Sequence, residues 1–499
     1  MSSSYSKGCF SCRRMKIKCD QRTPGCARCE RGKRTCPGYP DPWNLKFRDM
    51  NPVVVAKSQQ SANLAIDAAE ARSSPYLILR QPSSDWHAQA LCFFFDRYIL
   101  PPWDGGYGFL DFVPEMRKSR NTCGYFLKAV DAASLASFGN LSSIQSISFM
   151  ADSAYGQALN LLSKALQQQQ HDIENQCEVL LATLVMLQLY ELIAGSDRRK
   201  QNPHIAGIEA LLKIARPRLE TNSTGRRVLH AIDMQRIISG PRGDPREEPA
   251  ASPGPPSPNK PPSRAASCKS QLVMLLAQAA KAVRELHRCV SSVNASSHAE
   301  GPSMVDKAIT AAVAVEQSLE LWTGSLPPAL QIRCISQPQV VDCQSASVYP
   351  KWLYAFHNLQ HAGMWTAFWC TRCTLLQEII VALRACPPST SAISPSRQMD
   401  RLQGELRTVV NDICNSTSYM FGEIDNSGNL QGSGTNKVLG SYFMLQLLNR
   451  ALTVPNIPST QRAWMLAQLE RIGRVGGIRY ALTLRNSFLT IDDEVGTCI

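Results

Sequence analysis

Six cysteines between residues 9 and 36 form the pattern in this sequence with the clearest chemical potential. Their spacing is C-x2-C-x6-C-x6-C-x2-C-x6-C, and it repeats internally, because CFSCRRMKIKC is followed by CARCERGKRTC. A tetrahedral zinc ion needs four ligands, and thiolates are among those it prefers. Each half supplies only three cysteines, so two separate sites would each lack one ligand. The six candidate ligands are Cys9, Cys12, Cys19, Cys26, Cys29 and Cys36.

Shared ligands would make up this shortage. If one thiolate from each half bridges both metals, six cysteines make eight zinc–sulfur bonds, and two zinc ions form one compact cluster. The alternatives are a chance grouping of core cysteines and a zinc-storage peptide. The matched repeat argues against chance, and the long chain that follows argues against storage.

The charge around these cysteines indicates the partner. Residues 1–36 carry ten Lys or Arg and only two acidic residues, within a chain of net charge +13. Six thiolates and two zinc ions would together carry a charge of −2, so the cluster would repel phosphate unless cations surrounded it. A local basic excess of this kind points to a polyanion, with nucleic acid first. The cations available are Arg13, Arg14, Lys16, Lys18, Arg28, Arg31, Lys33 and Arg34.

The cysteine spacing, together with CRRMKIKCD and the TPGC loop, resembles the fungal binuclear zinc-cluster transcription factors. The resemblance implies that Cys9 and Cys26 are the bridging ligands. It also implies a short helix after each C-x2-C pair, with Pro24 in the loop that joins the halves. In such proteins the first helix enters the major groove and reads a CGG triplet.

The same resemblance suggests roles for individual basic residues. Lys16 matches the lysine that family members place on base edges, and lysine can donate to guanine O6 and N7. Arg13 and Lys18 match positions that contact phosphate, and Arg14 completes the candidate DNA-binding set. Met15 departs from the pattern, since many relatives carry Arg or Lys there.

Beyond the cysteines, residues 37–52 contain four prolines and are predicted to be an extended linker. Residues 53–71 could form a weak helix, but they lack the leucine heptads of a dimerising coiled coil. Later segments repeat apolar residues at three- and four-residue steps, as Tyr155, Ala158, Leu159 and Leu162 do, which predicts amphipathic helices. These helices are expected near 86–100, 122–138, 177–194, 204–215, 269–290, 305–323, 348–384, 398–420, 437–453 and 459–484.

The domain organisation follows from these patterns. Residues 241–262 contain nine prolines and are predicted to be a disordered loop or linker within the helical region. The predicted divisions are a zinc-cluster domain at 1–40, a linker at 41–83, all-α regions at 84–240 and 268–499, and a Pro-rich segment at 241–267. The helical segments HIAGIEALLKIAR, DRYILPPWDGGYGFLDFVPEM and LELWTGSLPPAL also resemble the regulatory region of the same family.

Other motifs give no sign of catalysis or of a membrane span. Cys370 and Cys373 form a lone C-x2-C pair, which predicts buried thiols rather than a metal site. His357 and His361 lack a carboxylate partner in sequence, and we found no phosphate loop, dinucleotide fingerprint or serine elbow. No signal peptide is predicted, and the most apolar stretch, 179–193, is interrupted by polar residues and too short to cross a bilayer.

The sequence therefore predicts a small metal-stabilised binuclear zinc-cluster module followed by a large all-α domain. The predicted function is non-enzymatic: nuclear, sequence-specific binding of double-stranded DNA to regulate transcription, with coregulators or a weak homodimer formed through the α domain. The resemblance is consistent with control of a secondary-metabolite gene cluster. One alternative is a ligand sensor or enzyme-like protein with an accessory zinc module. Another is a single-strand or RNA binder, for which the basic module offers few stacking aromatics.

Overall fold

In a computed structural model, the chain forms two compact units, one within residues 1–83 and the other within residues 84–499. The structure describes residues 8–39, 85–102, 107–119, 122–168, 173–195, 203–239, 264–295, 301–336, 349–386, 395–431 and 438–496. The predicted linker at 41–83, its weak helix and the prolines of 241–262 lie outside the described residues.

The first unit contains two short helices, α1 (Phe10–Arg14) and α2 (Ala27–Arg31). Its buried core consists of four cysteines, Cys9, Cys12, Cys26 and Cys29, with Cys19, Cys36 and Tyr39 packed beside them. Each helix begins inside a C-x2-C pair, since Cys9 and Cys26 are the N-caps. The resemblance had placed each helix after its pair. The helices begin earlier because the first sulfur of each pair accepts the backbone N–H of the second cysteine.

The second unit is built mainly of helices, which confirms the predicted fold class. Apolar side chains on one or more faces of each helix pack into one continuous core. Before the Pro-rich segment the helices are α3 (Trp86–Tyr98), α4 (Val113–Lys118), α5 (Gly124–Ser142), α6 (Gln145–Gln168), α7 (Ile173–Ala194), α8 (Pro203–Leu219) and α9 (Ser223–Ser239). After it they are α10 (Arg264–Ala295), α11 (Gly301–Ser325), α12 (Leu359–Ala385), α13 (Pro395–Asn415), α14 (Thr417–Met420), α15 (Val438–Leu452), α16 (Ser459–Arg474) and α17 (Tyr480–Gly496).

The core includes residues from both sides of the Pro-rich segment. α5 packs against α6 and α7, while α9 packs against both α7 and α12. On α6, Ala158 and Leu162 are buried and Tyr155 and Leu159 pack against the core, as the helical periodicity predicts. These contacts join the two predicted all-α regions through shared apolar packing.

Helix α7 is the most apolar element of the described chain. Its segment 176–194 is long and apolar enough to cross a membrane by length and composition alone, and 83% of that window is buried within the unit. A helix that is apolar all round and enclosed by neighbouring helices is typical of a protein core.

Two short strands correct the helix predicted at 348–384. β1 (Arg333–Ser336) pairs antiparallel with β2 (Trp352–Ala355), and Arg333 lies opposite Ala355. Trp352 and Phe356 fall within that predicted helix, but Trp352 belongs to the strand and α12 begins only at Leu359. Asn358 sets that start, because its side chain caps the helix by accepting the backbone N–H of His361 at 2.9 Å.

The helix predicted at 459–484 is also corrected. α16 ends at Arg474 and α17 begins at Tyr480. Gly477 between them has φ +71°, a left-handed conformation that glycine adopts readily. A continuous helix could not accommodate that backbone, so the chain turns at this point.

A buried ion-pair network links three helices of the second unit. Arg372 on α12 bonds to Glu316 on α11 through Nε at 3.0 Å and Nη2 at 2.8 Å. Its Nη2 also lies 2.8 Å from Glu405 on α13. The side chain of Glu316 is fully buried and that of Arg372 nearly so. Each charge therefore depends on the other for compensation away from water.

Candidate metal centre and nucleic-acid interface

The six predicted ligands of the zinc module come together in two overlapping groups of sulfur atoms. One group consists of Cys9, Cys12, Cys19 and Cys26, and the other of Cys9, Cys26, Cys29 and Cys36. Within each group all sulfurs lie within 4.8 Å of one another. Cys9 and Cys26 belong to both groups, and these are the positions that the resemblance implied as bridges.

The sulfur separations fit zinc and exclude disulfides. A zinc–sulfur bond of about 2.3 Å sets the edge of a tetrahedron of sulfurs at about 3.8 Å. The Sγ atom of Cys9 lies 3.7 Å from that of Cys26 and 3.8 Å from that of Cys29, and Cys12 Sγ lies 3.8 Å from Cys26 Sγ. A disulfide would need about 2.05 Å. Two tetrahedral ions sharing an edge of sulfurs satisfy this geometry.

Backbone hydrogen bonds hold the two halves in the same conformation. Cys9 Sγ accepts the N–H of Cys12 at 3.4 Å, and Cys26 Sγ accepts that of Cys29 at 3.3 Å. The turn after each helix also repeats, since Ile17 N–H donates to the Cys12 carbonyl and Arg34 N–H to that of Cys29, both at 3.0 Å. The sequence repeat is thus a structural repeat with an offset of 17 residues.

The acidity of the thiols depends on their place in the cluster. Burial raises the pKa of Cys12 above its usual range. Hydrogen bonds from the backbone of Cys26 and Gly38 instead lower the pKa of Cys36 to about 7. Buried thiols so close together resist ionisation by themselves, and divalent cations are the charges that allow such a set to be deprotonated together.

The predicted DNA-binding residues lie on and just after α1. Arg14, Lys16 and Lys18 are exposed, while Arg13 is half-buried. Lys16 has φ +56°, which takes the chain out of the helix immediately after its C-cap, Met15. The structure thus places Arg13 and Arg14 in the last turn of α1, and Lys16 and Lys18 in the segment that follows the helix.

Two residues that sequence reasoning missed help to position the second half. Asp20 Oδ2 accepts the N–H of Ala27, the first residue of α2, at 3.1 Å, and this bond lowers the pKa of Asp20. Tyr39 donates its hydroxyl to the carbonyl of Arg22 at 2.6 Å. An acidic residue six positions before a C-x2-C pair was the available signal for the Asp20 contact, since Asp readily accepts free N–H groups at helix starts.

The C-x2-C pair of the helical unit is buried, as the sequence predicts, whereas its two neighbouring histidines differ in exposure. Cys370 and Cys373 on α12 are fully buried, and burial raises the pKa of each thiol to about 12. His361 is buried and His357 exposed. Within the described residues, the only groups of potential metal ligands are the two sulfur groups of the zinc module.

Comparison with known proteins identifies the module. Residues 7–45 match the Fungal Zn(2)-Cys(6) binuclear cluster domain, which confirms the resemblance and its cofactor of two zinc ions. A curated relative is White-opaque regulator 2 of Candida albicans, 50% identical over 44 residues, which are 9% of this chain. The match spans about a tenth of that relative's length. No solved structure matches the chain.

Proposed function

We propose that the protein is a zinc-dependent transcription regulator that binds specific sequences in double-stranded DNA. The observation that carries this proposal is the zinc module itself, in which two groups of four sulfur atoms share Cys9 and Cys26 and exposed basic residues follow the first pair. The relative named as a regulator supports it. The protein acts in the nucleus, on genes transcribed by RNA polymerase II, and it has no enzymatic role.

In this mechanism the six cysteines would hold two zinc ions, with Cys9 and Cys26 as the cysteines common to both sulfur groups. The ions would supply the folding free energy that so small a core lacks. The basic side chains of the module then make two kinds of contact with DNA. Arg13, Arg14 and Lys18 contact phosphates and fix the orientation of α1 on the duplex. Lys16 reaches the base edges of a CGG triplet by donating to guanine O6 and N7 in the major groove.

The helical unit serves as the regulatory part of the protein. It binds coregulators or the transcription machinery, and it supports a weak homodimer. We propose that the target genes form a secondary-metabolite cluster, which genome-wide mapping of binding sites would test. The zinc module binds a single triplet, so probes carrying two triplets should tolerate varied spacing. Dependence on one fixed spacing would contradict this part of the proposal.

The test of base reading compares two lysines at matched positions of the repeat. In the zinc-loaded full chain, Lys16→Ala should weaken binding to CGG-containing duplexes by about 1–3 kcal/mol and change binding to random DNA less. Lys33→Ala, 17 residues later, should weaken binding to both DNAs and reduce the slope of log affinity against log salt by about 0.9. Equal losses on cognate and random DNA for Lys16→Ala would contradict the assignment of Lys16 as the base reader.

A further inference from the structure

The zinc module exposes apolar side chains beside its basic residues. Among its described residues, the large hydrophobic side chains open to solvent are Phe10, Met15 and Ile17, with 51%, 40% and 37% of their surface exposed. Met15 and Ile17 lie directly before and after Lys16 at the end of α1. Phe10 lies at the opposite end of that helix. Exposed apolar surface of this kind is unfavourable in water unless a partner covers it.

The internal repeat provides a comparison within the same molecule. An offset of 17 residues pairs Met15 with Gly32 and Ile17 with Arg34, while the two lysines, Lys16 and Lys33, correspond. Both lysines have a left-handed backbone, with φ +56° and +48°. The two halves therefore share the turn and its central cation but differ in the residues on either side. Apolar side chains flank the lysine only in the first half, so the turn itself does not require them.

The position of Met15 is constrained by the second half. Arg34 Nη1 lies 3.2 Å from Met15 Sδ, so the thioether rests against a guanidinium rather than against an apolar neighbour. The five consecutive residues 14–18 are all exposed. Met15 and Ile17 thus lie within a basic surface that includes Arg14, Lys16 and Lys18. That charge favours a polyanion over an apolar protein surface as the partner that covers them.

We infer that Met15 and Ile17 contact the 5-methyl group of a thymine next to the base pair read by Lys16. This inference rests on the proposed function, because it needs the end of α1 to face the major groove. The thymine methyl is the apolar group that the major groove presents, and it identifies T·A pairs. The protein would then recognise a CGG triplet extended by a thymine, with the methyl group as a specificity determinant.

The experiment uses the zinc-loaded full chain and duplexes that carry CGG with randomised flanks. Selection should enrich thymine at a position adjacent to the triplet. Replacing that thymine by deoxyuridine removes only the methyl group, and affinity should fall about fourfold, the effect expected for one methyl group left in water. In a duplex that carries deoxycytidine at that position, replacing it by 5-methyldeoxycytidine should raise the affinity by a similar factor.

Two variants assign the effect to named side chains. The double variant Met15→Ala with Ile17→Ala should bind the thymine and deoxyuridine duplexes with nearly equal affinity. Phe10→Ala, an exposed apolar residue at the other end of α1, should keep the fourfold difference. Equal affinity of the unaltered protein for thymine and deoxyuridine at every flanking position would overturn the inference, as would a full methyl effect in the double variant. In either case retained discrimination of CGG from random DNA would leave the proposed function standing, whereas loss of that discrimination would refute both.

Discussion

The two units of this protein are stabilised by different means. The zinc module buries four cysteines and has no aliphatic core among its described residues, whereas the helical unit buries an extended set of aliphatic and aromatic side chains. Apolar burial contributes about 25 cal/mol per Å², so a core as small as that of the module cannot offset its conformational entropy. The metal ions supply the missing free energy. The comparison indicates that the fold of the zinc module depends on metal, whereas the helical unit has an extended apolar core to stabilise it.

The same C-x2-C spacing occurs in both units with different consequences. At the start of α1, the sulfurs of Cys9 and Cys12 lie close to sulfurs from the second half of the repeat. In α12 the pair Cys370 and Cys373 is surrounded by apolar core residues, and burial keeps its thiols protonated. Spacing alone does not make a metal site, since the decisive feature is whether the fold brings further ligands to the pair.

The largest expected effect separates the cysteines that belong to both sulfur groups of the zinc module from those that belong to one. Cys26→Ser removes a ligand common to both sulfur groups, so both zinc ions should be lost together with the fold of the module and DNA binding. Cys36→Ser affects one group only and should retain one zinc. A structural zinc contributes roughly 10–16 kcal/mol of folding free energy in small domains, so losing both ions in Cys26→Ser should unfold the module. Metal analysis of the purified variants checks this, and equal zinc loss from both would contradict the shared-ligand arrangement.

The next prediction concerns charge in the helical unit. Arg372→Met leaves Glu316 fully buried without its cation, which should lower the free energy of unfolding by about 3–5 kcal/mol. Arg288→Met breaks the exposed pair with Glu285 and should cost much less, because solvent screens that pair. Chemical denaturation followed by circular dichroism measures both. Zinc content should stay unchanged in each variant, and a similar small loss for both would show that the buried network contributes little.

The smallest predicted effect depends on pH. Burial raises the pKa of Asp412 to about 6, although its Oδ1 accepts the Tyr354 hydroxyl at 2.8 Å. The folded chain therefore holds this proton more tightly than the unfolded chain, and stability falls as pH rises from about 4 to 6. Asp412→Asn removes this loss and keeps an oxygen acceptor for Tyr354.

The Asp412→Asn variant should accordingly gain up to about 3 kcal/mol of unfolding free energy at pH 7. The gain should disappear near pH 3, where Asp412 is protonated in both states. Denaturation of the helical unit at the two pH values, with the unaltered chain alongside, measures the difference. A constant gain at both pH values would show that titration of Asp412 is not its cause.

The sequence predicted local features better than contacts between distant segments of the chain. The six cysteines and the helical face of α6 repeat at short intervals, so periodicity and spacing located them. The hairpin was missed because each strand has four residues and its partner lies across a long connection. The contacts of Arg372 with Glu316 and Glu405 depend on how three helices pack, which no local pattern encodes. The choice of Cys9 and Cys26 as bridges came from the resemblance. The spacing alone requires one shared thiolate from each half of the repeat but does not say which one.

The most direct test of the central claim counts zinc ions while following helix content. The full chain is titrated with a chelator, bound zinc is measured by native mass spectrometry, and helicity is measured by circular dichroism. We predict two zinc ions at the start, loss of CGG binding as they are removed, and nearly constant helicity throughout. A single zinc ion at the start, or loss of helicity in step with zinc, would contradict the account of a metal-held module beside an independently stable helical unit.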